Sequence, residues 1–107
     1  MAKFEDLIFK SHPLSKGWAG FYEFKNGYRI SVTAGESMYC IPKLSLKNPS
    51  EYESFEVAIL DSKGEWATQE IIEGADHEVI GWIKPNIITE IMQVIETTKK
   101  DKYITYM

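Results

Sequence analysis

The chain is short of the residues that carry most recognisable chemistry. It holds one cysteine, Cys40, and two histidines, His12 and His77. A lone cysteine rules out an internal disulfide and argues against a cysteine-based structural zinc site. A reducing, cytoplasmic setting is the expectation that follows. No segment approaches the roughly 20 apolar residues that span a bilayer. The opening Met1-Ala2-Lys3-Phe4-Glu5-Asp6 has no apolar run of signal-peptide length. Charge of one sign is scarce as well: 12 basic against 16 acidic residues leave −4. That balance argues against nucleic acid as the main partner, because phosphate contacts need clustered Lys and Arg. Neither nucleic acid nor a membrane is therefore expected as a partner, and no cofactor or metal is implied.

What the chain does have is β-hairpin language. Asn26-Gly27 lies between two aromatic and β-branched runs, the strongest short-range signal for a hairpin. Its register follows from the alternation. A two-residue loop would set Glu23 opposite Ile30, a charge on the apolar side. A three-residue loop, Lys25-Asn26-Gly27, pairs Phe24 with Tyr28, Tyr22 with Ile30, Gly20 with Val32 and Trp18 with Ala34. That choice gathers the apolar side chains on one face, and a slip of one residue would scatter them. The turn is then a type I turn closed by a G1 bulge, with Gly27 at positive φ.

The rest of the chain fills in around it. Leu7–Lys10 reads as a first strand, or one helical turn entering it, and Ser11–Gly17 as a loop. The stretch 35–50, broken by Pro42 and Pro49, reads as a long irregular connection, the expected mobile region and a plausible binding loop. Met38–Ile41 could hold a short strand within it. Tyr52–Asp61 has apolar residues on both faces, as a central strand does. Asp61–Gly64 is a turn, and Glu65–Ile72 reads as a returning strand that completes a second hairpin. Val79-Ile80 marks one more short strand. The only convincing helix starts at Pro85, where a missing N–H costs nothing. Ile87, Ile88, Ile91, Met92 and Ile95 recur along it at helical spacing. Lys99, Lys100 and Lys102 crowd its end, complementing the helix dipole. Residues 103–107 form a β-like tail. The expected fold is α+β: one domain over 1–107, a single antiparallel sheet of about four to six strands, one face covered by the C-terminal amphipathic helix.

Several stretches carry a resemblance. They are Phe4-Glu5-Asp6-Leu7 with Phe9-Lys10 and His12-Pro13, then Phe24 with Asn26-Gly27-Tyr28 and Ser31-Val32. Phe55–Asp61 with its Gly64 turn, and Val79–Ile83, complete the set. In these the chain resembles a group of small uncharacterised phage and prophage proteins. It departs from them at 35–50, which is longer here, and at Lys84-Pro85-Asn86, where the group has Thr followed by acidic residues. The resemblance implies a phage-type accessory protein in the host cytoplasm and brings no catalytic residue with it.

Chemistry read from the residues themselves is thin. Cys40, His12 and His77 could supply a nucleophile and a base, but they sit on separate segments. Asp76-His77-Glu78 offers oxygen and nitrogen donors, yet neighbours in extended chain point to opposite faces and rarely chelate together. The plainer readings are a semi-buried cysteine, a loop-anchoring His12 and a solvated acidic loop. The one excess is aromatic: three Trp, six Tyr and five Phe. Some fill the core. Phe21 falls on the hairpin face away from the main apolar set, together with Arg29, while Tyr39, Trp66 and Trp82 sit in or near turns. These five are the candidate partner-binding residues. The function expected is non-enzymatic binding of a host or phage protein, or self-association as a homo-oligomer. The turn assignment is checked first. Gly27→Val forces a β-branched residue to positive φ and should cost on the order of 1–2 kcal/mol in a denaturant melt; a wild-type melt would refute the bulged turn.

Overall fold

In the computed structural model residues 1–12 and 16–98 are described. Five strands follow one another in a single sheet in the order β1-β2-β3-β4-β5: β1 Ile8–His12, β2 Gly17–Glu23, β3 Arg29–Gly35, β4 Phe55–Leu60 and β5 Val79–Ile83. Every neighbouring pair is antiparallel. A 3-10 turn at Phe4–Asp6 leads into β1. The short helix α1, Thr68–Ile71, interrupts the passage from β4 to β5, and α2, Pro85–Thr97, closes the fold. The α+β sheet-and-helix architecture is the one the sequence predicts.

The hairpin register is also as expected. Tyr22 pairs with Ile30, Gly20 with Val32 and Trp18 with Ala34. The Phe24 N–H donates to the Tyr28 carbonyl at 2.8 Å, the Gly27 N–H donates to the Phe24 carbonyl at 2.9 Å, and Gly27 has φ of 96°. This sends Phe24, Tyr28, Ile30, Val32 and Ala34 to one face, where all are buried together with Phe55, Val57 and Ile59 of β4. Ile88, Met92 and Ile95 of α2 complete that core and are fully buried. Burying each such side chain is worth roughly 1.5–3 kcal/mol. Ile91 is only partly buried and Ile87 is 41% exposed, so the predicted stripe is narrower by one residue.

Glu65–Ile72 does not return as a strand. It begins as one: the Asp61 N–H donates to the Glu65 carbonyl at 2.8 Å, Trp66 makes a bridge to Leu60, and the Ala67 N–H donates to the Ile59 carbonyl at 2.8 Å. Then the buried Thr68 hydroxyl accepts the Ile59 N–H at 2.8 Å. A side chain thus fills the next place in the ladder, and the backbone is released to close a helical turn through Ile72 N–H to Thr68 O, 2.8 Å. The partner of β4 on this side is β5 instead.

Past Gly35, which ends β3, the 35–50 connection holds no strand; Ile41 makes only a single bridge, to Ser54. It is tied down at several points. Trp18 Nε1 donates to the Leu46 carbonyl at 2.9 Å, and the Tyr52 hydroxyl donates to Leu44 O at 2.6 Å and accepts from Leu46 N–H at 2.9 Å. Lys99, Lys100, Lys102 and the 103–107 tail lie outside the described residues.

Hairpin and helix are joined directly. Asn26 Nδ2 donates to the carbonyls of both Ile95 and Thr98, each at 2.7 Å, and Asn26 Oδ1 accepts the Tyr28 N–H at 3.2 Å. The turn therefore gives the Thr98 carbonyl a donor just past the helix and adds a second donor to the Ile95 carbonyl, which also accepts the Thr98 N–H at 3.0 Å. At the other end, Thr89 Oγ1 accepts the Phe4 N–H at 2.9 Å. Asn26→Ala should lower stability by about 1–3 kcal/mol, because it removes both bonds from the turn to the helix end and the acceptor of the Tyr28 N–H. Chemical denaturation checks this; an unchanged midpoint would mean the cap contributes nothing.

Candidate functional site

The sheet has two faces and α2 covers one. The pairing fixes what lies on the other, because residues directly opposite in antiparallel strands point the same way. Three rows cross this outer face. The middle row is Ile8, Phe21, Ser31, Ala58 and Val79. On one side of it run Glu23, Arg29, Leu60 and Trp66. On the other run Lys10, Ala19, Thr33 and Glu56. Phe21, Arg29 and Trp66, singled out from the sequence, thus share one face.

Tyr39 and Trp82 join them through an irregularity. Phe55 pairs with Ile83 and Val57 with Ile80, so Gly81 and Trp82 together stand opposite Glu56. This bulge holds Trp82 at φ of 56°, a conformation in which a bulky residue is a genuine outlier and which is found preferentially at functional positions. The Trp82 N–H donates to the Tyr39 carbonyl at 2.9 Å, and the two rings stack with centroids 5.2 Å apart and 33° between planes. Glycine at 81 is what admits Tyr39: a Cβ there would come within 2.5 Å of the tyrosine Cβ. Glu56 holds the arrangement from below, accepting the Tyr39 N–H at 3.0 Å on one oxygen and the Thr33 hydroxyl at 3.4 Å on the other. Lys43 Nζ lies 5.4 Å from the Tyr39 ring centre, within cation–π range.

All four aromatic candidates are more than half exposed: Phe21 51%, Tyr39 51%, Trp66 57% and Trp82 59%. Ile8, which sequence reasoning passed over, is 67% exposed and sits directly across from Phe21. The signal that could have found it was the β1 register, which the imperfect alternation of Phe4–Phe9 did not supply. Ile8 and Phe21 belong to an open depression of about 660 Å3, lined also by Asp6, Lys10, Glu23 and Arg29. Arg29 Nε is 3.7 Å from Glu23 Oε1, an exposed pair that adds little to stability. An apolar floor with charges of both signs at its rim is suited to recognition of a protein surface.

Of the residues weighed for catalysis or metal binding, Cys40 and Glu78 have side chains engaged in the fold. Cys40 is buried, its Sγ 3.3 Å from both the N–H and the carbonyl oxygen of Gly35. Beside His77, the Asp76 carbonyl accepts from Gln69 Nε2 at 3.0 Å and Glu78 Oε1 accepts the Gln69 N–H at 3.3 Å. Among the described residues no three His, Cys, Asp or Glu side chains converge as a metal site would need. Among them also, no helix is long and apolar enough to cross a membrane. Comparison with protein-family models, with curated proteins and with solved structures finds no match.

Proposed function

We propose that this protein acts by binding another protein through the outer face of its sheet, and not by catalysis. One observation carries the reading. Five residues from β2, β3, the 35–50 connection, the segment after β4 and the β5 bulge share the sheet face that, among the described residues, no helix covers, and the aromatic ones stay exposed. Exposed aromatic side chains among mixed charges are the usual anchors of protein interfaces. An outlying backbone angle held at Trp82 is a cost that a purely structural bulge would avoid by using glycine or asparagine.

The resemblance to small phage and prophage proteins supports an accessory role in the cytoplasm of a host cell, with a host or phage protein as the partner. Retention assays test the reading. Immobilised wild-type protein should retain a partner, either from host lysate or from a solution of the chain itself. Phe21→Glu combined with Trp82→Gly should abolish retention while the melting profile stays cooperative. Val94→Glu, on the exposed side of α2, should retain as wild type does. Equal retention by all three proteins, or by none, would refute the assignment to the outer face.

A further inference from the structure

We infer that the partner of the outer face is a second copy of the chain, docked about a two-fold axis running along the row Ile8, Phe21, Ser31, Ala58 and Val79. The inference rests on the reading of this face as a protein-binding surface, and it names the occupant.

The argument is one of self-complementarity. A two-fold interface brings the same patch together twice, so each group must face its complement elsewhere in the patch. An axis along the middle row lays each strand antiparallel on its own copy and exchanges the two flanking rows. Lys10, exposed and on one flank of β1, then lies over the other flank of β1 in the second copy, diagonal to Glu23 of the neighbouring β2 and in the depression that Asp6 also lines. Glu56 on the first flank faces the side of the partner that carries Arg29 and Leu60. Trp66 lies on the β5 side of β4, as the bulge does. The same rotation therefore sets Trp66 against the Tyr39–Trp82 stack of the second copy. Opposite charges become diagonal neighbours, within reach of long side chains, and aromatic rings meet aromatic rings.

Along the axis itself the residues are apolar or small. Ile8 and Phe21 stack on their own copies, while Ser31 and Ala58 leave the room that two sheets packed about 10 Å apart require. The competing arrangement, an axis along β2, sets Glu23 on Glu23 and leaves Lys10 over Thr33. Charge thus selects the first axis. The product is a four-layer particle, helix–sheet–sheet–helix, in which the sheet buries both faces as layered folds do.

Sedimentation equilibrium on the full chain tests this. The wild-type protein should be a dimer. Lys10→Glu and Glu23→Lys, both at exposed positions, should each remain folded by circular dichroism. Each should weaken the dimer roughly a hundredfold through like-charge contacts. Mixed in equal amounts, the two variants should pair with each other far more tightly than either pairs with itself, since the mixed dimer joins opposite charges at both contacts between positions 10 and 23 and leaves one like-charge contact, to Asp6. A mixture that stays monomeric overturns the two-fold arrangement. A dimer that withstands both substitutions has formed through another surface and overturns this inference. A strictly monomeric wild type overturns only the second-copy assignment: retention of a lysate protein lost with Phe21→Glu would still uphold the binding surface.

Discussion

The three-residue turn at Lys25–Gly27 is the constraint on which the molecule depends. Gly27, at φ of 96°, closes a bulged loop that no two-residue turn could replace without moving every side chain of β2 to the opposite face. With this register, Tyr22, Phe24, Tyr28, Ile30 and Val32 go inward and Phe21, Glu23 and Arg29 go outward. The same turn supplies Asn26, whose amide closes two carbonyls at the end of α2. One dipeptide therefore decides which face of the sheet becomes core, and ties to it the helix that covers that face.

The second face is a consequence of the first. β4 lies between β3 and β5 and has Phe55, Val57 and Ile59 turned to the helix, so Ala58 and Leu60 must turn away from it. Ala58 and Ala19 are nonetheless buried on that side, flanked by larger neighbours, while Ile8, Phe21, Trp66 and Trp82 project further and are exposed. A lone amphipathic helix can cover one sheet face only. What remains is an extended apolar surface with charges set into its flanking rows, the composition expected of an interface and not of a solvated face.

Much of this was legible in the sequence where the determinant was local. The hairpin could be placed to the residue because Asn26-Gly27 and the alternation on each side of it agreed. The span and buried side of α2 followed from Pro85 and from the spacing of Ile88, Met92 and Ile95, although Ile87 at the margin of the stripe proved exposed. Non-local determinants were not legible. Glu65–Ile72 reads as a strand returning from the Gly64 turn, and it starts as one. It turns helical only because the Thr68 hydroxyl reaches a backbone N–H nine residues away. Phe21, Arg29, Tyr39, Trp66 and Trp82 were identified one by one as exposed aromatics and their charged neighbour. Their convergence depends on the β1–β5 register and on an extra residue at Gly81-Trp82 that no periodicity announces. Asn26 read as a turn residue, and its second task as a helix cap needed the helix to be in place.

The central claim is that the face opposite α2 is the working surface and that a second copy covers it. Hydroxyl-radical footprinting carried from dilute to concentrated protein measures this directly. The account predicts that oxidation of Phe21, Trp66 and Trp82 falls together as concentration rises, while Val94 on the outside of α2 stays equally reactive. Oxidation of the outer-face residues that does not change with concentration, or protection that appears on α2 instead, would contradict it.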